Sequence, residues 1–303
     1  LSRYYFAKRE LLKYNCDIVH LNSSVLTDWI APAKKIGKVV FHIQEPYKNG
    51  KFDLSNKFFT SQMRKYASHI IAISEDNAKR INIPEKTTVI GNYTEIPENN
   101  PQDESYLSKK VLYLGGAAAI KGFSTMVDAL DYLDNDIRVY FGGGYRVGKD
   151  NAGIIKRLIR PFLRTRRKAI LSVKKMQKHP KAIEIGLIHN VSNYLSEVCC
   201  LASPFSVPHF ARPVVEAYLH NKPAIGSDVE GMDEIIKDGI TGYIVPKNNP
   251  KELAKAINKL CSNPQEAKKM GQAGFKIAKE KYSPDNIKKI EKIYDELLFN
   301  NSR

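Results

Sequence analysis

The sequence predicts an α/β protein built from two doubly wound parallel sheets. Short runs rich in Val and Ile alternate with helix-compatible stretches at roughly 20- to 30-residue spacing, which is typical of βαβ units. The pattern stops in a polar, proline-containing segment at 94–108 and then starts again. With 303 residues, the chain is also long enough for two hydrophobic cores.

The first half contains four predicted strands. They are DIVHL at 17–21, KVVFHI at 38–43, IIAIS at 70–74 and the short run at 88–90. Ser74 is well suited to cap the helix that follows the third strand. We therefore predict a first domain at 1–107, with the polar segment as the linker.

The second half contains six predicted strands and ends in helices. The strands are at 111–116, 138–144, 182–186, 200–205, 223–228 and 242–245. We predict a second domain at 108–282 and a final helix at 283–303 that packs back on the first domain. Ser283 and Pro284 suit the N-cap and the first position of that helix.

The composition describes a folded protein with a strongly basic balance. The net charge is +16, which favours anionic partners such as nucleic acid, phosphorylated metabolites or an acidic membrane surface. The four cysteines show no metal-binding or paired spacing, and the N-terminus LSRYYFAKRE lacks the apolar core of a signal peptide. We expect a cytoplasmic protein.

Much of the charge lies in one insert. Twelve Lys or Arg and a single acid, Asp150, occupy 149–181, and within it 153–178 has the pattern of a basic amphipathic helix broken or kinked at Pro161. Contact with an anionic membrane or an acceptor is one interpretation. A solvated helix pair packed on the sheet is another. Nucleic acid is not expected, because no motif with aromatic stacking residues accompanies the charge.

Two glycine-rich loops follow strands of the second half. Gly115 and Gly116 lead to Lys121, and Gly144 ends a glycine run that leads to Arg146. Backbone amides in such loops bind phosphate, and in an open α/β sheet both loops reach the same ligand crevice. Tight turns without a ligand are the alternative.

The third motif is the run PHFARPVVEAYLHNKPAIGSDVEGMDEIIKDGITGYIV at 208–245, which places Glu216 one turn into a helix. A carboxylate there can accept hydrogen bonds from two ribose hydroxyls. The alternative is that the carboxylate has only a structural role and complements the helix dipole.

These motifs together resemble the donor-binding domain of the family 4 glycosyltransferases, which have the GT-B fold of two Rossmann-like domains facing a cleft. The resemblance implies that Glu216 binds the donor ribose and that Lys121 binds the diphosphate and acts in catalysis. It also implies that His209, Phe210, Ala211 and Arg212 belong to the donor-binding set, together with the residues of the two glycine loops.

The chain departs from the family at two positions. Pro208 stands where a second glutamate is usual, and Gly116 stands where an arginine is usual. We expect Arg146 or Arg212 to compensate, since a guanidinium binds diphosphate oxygens in a bidentate way.

The first half resembles the family's acceptor domain more loosely, through DIVHLNSS, VVFHIQEP, IIAISEDNAKRI and VIGNYTEIP. The resemblance makes His42 a catalytic candidate near the reacting sugar, and a structural role for a lone histidine at a strand end is the alternative. Glu45 lies close to His42 in the loop before Pro46 and is a weaker candidate for a base, whereas we expect His20 to be structural. It also implies that the initial strand and glycine loop of the family are missing here, so we expect a truncated acceptor domain.

The resemblance implies a hexosyltransferase that moves a sugar, with retention, from a UDP- or GDP-linked donor to a glycan or lipid-linked acceptor at the inner face of the membrane. It implies no obligatory cofactor or metal, and no suitable D-x-D pair follows a strand. A non-catalytic nucleotide-sugar-binding subunit and a sugar-nucleotide epimerase are the alternatives.

Overall fold

The structure is a computed structural model that describes residues 2–47, 54–95, 97, 103–145 and 160–299. The chain divides into two compact units. Unit 1 consists of Leu1–Glu95 together with Lys281–Arg303, and unit 2 is the continuous segment Ile96–Glu280.

Unit 1 is built on a four-stranded parallel sheet in the order β1-β2-β3-β4. Its strands are β1 (Ile18–Leu21), β2 (Lys38–Ile43), β3 (His69–Ala72) and β4 (Thr87–Val89). Its helices are α1 (Ser2–Leu11), α2 (Ile30–Ala33), α3 (Leu54–Tyr66), α4 (Glu75–Ile81) and α12 (Asn286–Phe299), and a 3₁₀ helix spans Ser24–Trp29.

Both faces of this sheet are buried, which explains why its strands are continuous apolar runs. Val39, Phe41 and Ile43 point to the face covered by α1, α2 and α3. The prediction that Ser74 caps α4 is confirmed, because its hydroxyl accepts a hydrogen bond from the amide of Asn77 at 3.1 Å.

The other face of the sheet is covered by α12. Its apolar residues recur at helical spacing and pack with Val40 and Ile71; they are Ile290, Ile293, Tyr294 and Leu297. The helix begins at Asn286 and not at Pro284. Ser283 instead accepts from the amide of Asp285 within a turn, and the Asn286 side chain donates to the carbonyls of Gly91 and Lys281.

Unit 2 contains a six-stranded parallel sheet in the order β10-β9-β8-β5-β6-β7. Its strands are β5 (Lys110–Leu114), β6 (Arg138–Gly142), β7 (Ala182–Gly186), β8 (Cys200–Ser203), β9 (Ala224–Ser227) and β10 (Gly242–Val245). Its helices are α5 (Phe123–Ala129), α6 (Arg160–Lys178), α7 (Val191–Leu195), α8 (Arg212–Leu219), α9 (Met232–Ile235), α10 (Pro250–Ser262) and α11 (Pro264–Lys281).

The strand order of unit 2 reverses beside β5. The chain runs outward from β5 to β6 and β7, and it then returns to build β8, β9 and β10 on the other side. In an open α/β sheet the crevice at such a reversal, beyond the carboxyl ends of the strands, is where ligands bind. The predicted class, α/β with two doubly wound parallel sheets, is thus confirmed, and all ten predicted strands are present.

Part of the basic insert lies outside the described residues, including Arg146 and the segment 153–159. The rest forms α6, whose Val173 and Met176 are buried in the core of unit 2. Lys175 on the same helix binds Asp128 at 3.1 Å and Asp131 at 2.7 Å. In the part of the chain that the structure describes, no helix is both long and apolar enough to cross a membrane.

Two histidines lie under α12 in unit 1. His42 is in the interior of β2, opposite Ile71 of β3, and its side chain is 5% exposed. Its Nδ1 lies 3.3 Å from Nε2 of His20, whose Nδ1 is hydrogen-bonded to the Tyr294 hydroxyl on α12. Burial, with a smaller contribution from His20, lowers the pKa of His42 from 6.5 to about 4. The imidazole is therefore neutral in the folded protein at neutral pH.

This histidine makes the stability of unit 1 sensitive to acid. Between pH 6.5 and about 4 the unfolded chain binds a proton at His42 that the folded chain does not, so stability falls as the pH falls through this window. We expect a loss of about 2 kcal/mol between pH 7 and pH 4.5 from this residue. The measurement is urea unfolding followed by the fluorescence of Trp29, the single tryptophan, which lies in unit 1.

The substitution His42→Gln should remove this part of the pH dependence and leave a flatter profile. The exposed His189 in unit 2 provides the control, since His189→Gln should leave the fluorescence profile as it is in the parent protein. An unchanged acid loss in His42→Gln would contradict the assignment.

Candidate functional site

A pocket of about 440 Å³ lies at the carboxyl ends of β5, β6 and β7 in unit 2. Its volume is in the range of small-molecule sites. The lining consists of the two predicted glycine loops, the predicted lysine and two apolar residues from the segment after β7: 114–118, Lys121, 142–144, Leu187 and Ile188. The structure therefore brings Gly115, Gly116, Gly144 and Lys121 together.

The two glycine loops are joined backbone to backbone. The amide of Gly116 donates to the carbonyl of Gly142, and the amide of Ala117 donates to that of Gly144, both at 3.1 Å. Gly116 has a φ of +54°, and a Cβ added there would lie 2.9 Å from the Gly144 carbonyl oxygen. The position where the family has an arginine thus has no room for a side chain in this loop conformation.

Lys121 is presented by a 3₁₀ helix, Ala119–Lys121, that is fixed from two directions. The buried Tyr113 hydroxyl donates to the carbonyl of Gly116 at 3.2 Å and approaches that of Lys121 at 3.4 Å. In addition, the amide of Ser206 donates a hydrogen bond to the carbonyl of Ile120, and its hydroxyl donates one to the carbonyl of Ala119. Among the described residues, none accepts a hydrogen bond or forms an ion pair with the Lys121 ammonium, so it remains available to an anion.

Glu216 lies in α8, which follows β8 on the side of β5 opposite to β6. Its carboxylate accepts a hydrogen bond from Nε of Arg212 at 3.0 Å, one helical turn earlier. Burial raises the pKa of Glu216 above its usual value, and the Arg212 guanidinium offsets part of that shift. Arg212 is 67% exposed, so a ligand hydroxyl can take its place beside the carboxylate.

The segment before α8 holds the remaining predicted donor residues. The ring of His209 stacks on Phe205 with a centroid distance of 5.0 Å, and Ala211 is buried next to the helix start. The residues His209, Phe210, Ala211, Arg212 and Glu216 do not line the pocket described above. They are connected to it through Ser206, which precedes them and holds the Lys121 loop.

In unit 1 the two catalytic candidates, His42 and Glu45, lie in different surroundings. His42 is inside β2, and its Nε2 has no hydrogen-bond partner among the described residues. Glu45 is held by the N-terminus of the 3₁₀ helix, since its carboxylate accepts from the Ser24 amide at 2.9 Å and from the Ser23 hydroxyl at 3.3 Å. These hydrogen bonds give Glu45 a structural role.

Three side-chain amides lie at the carboxyl edge of the same sheet, and they are not among the site residues predicted from the sequence. The Gln44 side chain donates to Asn22 and accepts from Asn92, each at 2.7 Å. Asn22 and Gln44 directly follow β1 and β2, and Asn92 lies just beyond β4. The signal available in the sequence was their common position after strands, which is where ligand-binding groups of α/β sheets gather.

The arrangement in unit 2 suits a ligand that has both an anionic group and vicinal hydroxyls. A free ammonium at the mouth of a glycine-lined pocket binds phosphate oxygens as a point charge. A partly buried carboxylate accepts hydrogen bonds from hydroxyls, and such charge-assisted bonds are stronger than neutral ones.

The model of the family described as "Glycosyl transferases group 1" matches residues 95–277. Among curated proteins, an uncharacterized glycosyltransferase of Methanocaldococcus jannaschii is 25% identical over 186 residues, 61% of this chain and 48% of that protein. The alpha-1,3/1,6-mannosyltransferase ALG2 of Dictyostelium discoideum is 26% identical over 298 residues, 87% of this chain and 66% of that protein. The chain thus spans about half to two thirds of the length of these relatives.

Solved structures show the same fold. HepE of Anabaena in complex with UDP-glucose is 18% identical with a TM-score of 0.77, and the match covers 97% of this chain and 81% of that one. TarM is 16% identical with a TM-score of 0.73, covering 97% and 58%. The expected GT-B fold class is confirmed. Because the family model matches more than half of the chain, this protein belongs to the group 1 glycosyl transferases.

Proposed function

We propose that this chain transfers a hexose, with retention, from a nucleotide-diphosphate sugar to a glycan or lipid-linked acceptor. The observation that carries the proposal is the pocket of unit 2, where Lys121, whose ammonium has no partner among the described residues, lies beside two joined glycine loops. The family match and the UDP and UDP-glucose complexes of HepE support a nucleotide sugar as the donor.

In this mechanism Lys121 stabilises the negative charge that grows on the leaving diphosphate. A preorganised cation at the position of developing charge is the largest kind of catalytic contribution in many enzymes. Glu216 holds the ribose hydroxyls and so fixes the position of the diphosphate relative to Lys121. Arg212, which pairs with Glu216 in the structure, is free to turn toward the diphosphate once the ribose has bound.

The acceptor side of the proposal rests on unit 1. His42 supplies a neutral imidazole, and we propose that it lies near the reacting sugar. The amides of Asn22, Gln44 and Asn92 present hydrogen-bond donors and acceptors at the carboxyl edge of the sheet, and such groups suit sugar hydroxyls.

A non-catalytic nucleotide-sugar-binding subunit is the second candidate, favoured by the absence of a side chain at Gly116. One assay separates these two functions and also the epimerase alternative. A transferase releases nucleoside diphosphate faster when acceptor is added, an epimerase changes the donor without an acceptor, and a binding subunit does neither.

We also propose that the exposed side of α6 contacts an anionic membrane surface. It carries a stripe of basic residues around one exposed leucine: Arg167, Lys168, Leu171, Lys174 and Lys178. The opposite side of the helix packs in the core, so the basic side remains directed to solvent.

The first test of the donor site is Lys121→Met. Removal of the ammonium should weaken binding of UDP or GDP by about 10- to 100-fold, since a hydrogen bond to a charged group contributes about 1.5–3 kcal/mol. Isothermal titration with the nucleoside lacking phosphate should show no change. The exposed Lys279→Met in α11 is the matched control and should bind as the parent protein does. Equal weakening of nucleoside and diphosphate would contradict the assigned role.

Glu216→Gln should give the complementary pattern. Because the carboxylate is proposed to bind ribose, affinity should fall about 10- to 100-fold for the nucleoside and the diphosphate alike. Glu252→Gln, which changes a glutamate of α10 in the same unit, serves as the control. An effect confined to the diphosphate would assign Glu216 to a different part of the ligand.

The proposed membrane contact predicts that a variant with three charge-removing substitutions binds vesicles more weakly. The substitutions are Lys168→Gln, Lys174→Gln and Lys178→Gln. Each lysine contributes about 1 kcal/mol near an anionic surface, so partitioning into phosphatidylserine-containing vesicles should fall about 100-fold. The same triple change at Lys251, Lys255 and Lys279 alters net charge equally at other exposed positions of unit 2. An equal fall in both proteins would mean that net charge alone is responsible.

A further inference from the structure

Three thiols meet in the core of unit 2, away from the pocket. Cys199 and Cys200 lie at the start of β8, and Cys261 lies in the last turn of α10. Their sulfur atoms are all within 4.8 Å of one another, and the three residues are 0%, 0% and 1% exposed. The sequence conceals this group, because Cys261 is far from the other two along the chain.

The separations suit a metal ion held by three sulfur atoms. With metal–sulfur bonds of about 2.3 Å, a planar three-coordinate site has sulfur–sulfur distances of about 4 Å. The three thiols come from a strand and a helix that pack in one core cluster, so the surrounding structure fixes their positions. The observed upper limit of 4.8 Å is close to this value.

Two lysines supply positive charge beside the thiols. Lys222 is 0% exposed and interacts electrostatically with Cys199 and Cys200. Its ammonium contacts the Ser105 hydroxyl and lies 4.3 Å from the centre of the Tyr106 ring, and no carboxylate among the described residues pairs with it. A buried ammonium without an anionic partner is costly.

Lys109 is the second cation. Its ammonium donates to the carbonyl of Cys261 at 2.7 Å and interacts electrostatically with Cys199. It also approaches Asp136 at 3.9 Å, but that carboxylate is exposed and such pairs contribute little. Lys222 thus interacts with Cys199 and Cys200, and Lys109 with Cys199 and Cys261, so the two ammonium groups together reach all three sulfur atoms.

The charges decide which class of ion fits. Three thiolates and a monovalent ion carry two negative charges, which the two ammonium groups balance. A zinc ion would leave the group positive, and it prefers a fourth ligand that this cluster lacks among the described residues. Soft thiolate ligands select Cu(I).

We propose that Cys199, Cys200 and Cys261 form a three-coordinate site for a soft monovalent metal ion of the Cu(I) class, with Lys109 and Lys222 compensating its charge. Binding releases the three thiol protons to solvent and changes no oxidation state. The proposal is independent of the proposed transferase activity.

The test is anaerobic titration of the reduced full chain with Cu(I) supplied as its bicinchoninate complex. We expect one equivalent to be taken up, with three sulfur neighbours in the copper X-ray absorption spectrum. Because the thiols are buried, the same titration is carried out on protein refolded from urea in the presence of the complex. No uptake by either route would overturn the proposal.

Three variants make the test specific. Cys261→Ser should lose the one-equivalent binding, whereas Cys16→Ser, which changes a cysteine of unit 1, should keep it. Lys222→Met should lower Cu(I) affinity about 10- to 100-fold, as loss of a supporting residue around a metal does. The metal-free Lys222→Met protein should be at least as stable as the parent, because an unpaired buried charge is removed.

Other results would overturn the assignment. Cu(I) binding that survives Cys261→Ser would place the ion elsewhere. Zn²⁺ bound at these cysteines as tightly as Cu(I) would contradict the three-coordinate, monovalent site. Circular dichroism and thermal unfolding of each variant distinguish loss of the ligand from loss of the fold.

Discussion

The donor-side architecture depends on the close backbone contact between two glycine loops. Gly116 and Gly143 both adopt positive φ, and a Cβ at either would meet the other loop's backbone within 3 Å. This contact lets the ends of β5 and β6 approach each other and opens a pocket beyond them. Tyr113 supports the arrangement from below, and Ser206 ties it to the segment that leads into α8.

The same contact explains why a glycine, Gly116, stands where the family usually has an arginine. It also changes how the loop can bind a ligand. A loop that uses its own amides at Gly116 and Ala117 for internal hydrogen bonds does not offer those amides to phosphate. In the proposed function, recognition of the diphosphate then depends on side chains, above all on Lys121 and, after a change of partner, on Arg212. In that proposal, charged flexible side chains perform part of a task that backbone dipoles perform elsewhere.

The sequence predicted the sheets well because most of their strands are buried and therefore stand out as Val- and Ile-rich runs. It located Lys121 in the segment after β5 and Glu216 in the helix after β8, because the glycine loop and that helix each come after a recognisable strand. It did not reveal side-chain surroundings: the hydrogen bond from Ser24 to Glu45, and the contact between the tilted rings of His20 and His42, join segments that are distant in the sequence. The helix start at Asn286 was missed because the decisive partner, Gly91, is almost 200 residues away.

Unit 1 contains the final helix of the chain as one layer of its core, so its two parts are separated in the sequence by the whole of unit 2. During synthesis unit 2 can therefore complete its core before unit 1 can, because α12 is made after the whole of unit 2. Until then one face of the first sheet, including Val40 and Ile71, lacks its apolar cover. The strands of unit 1 are thus made well before the helix that covers one face of their sheet, and the segment Asn286–Phe299 controls when this unit can complete its core.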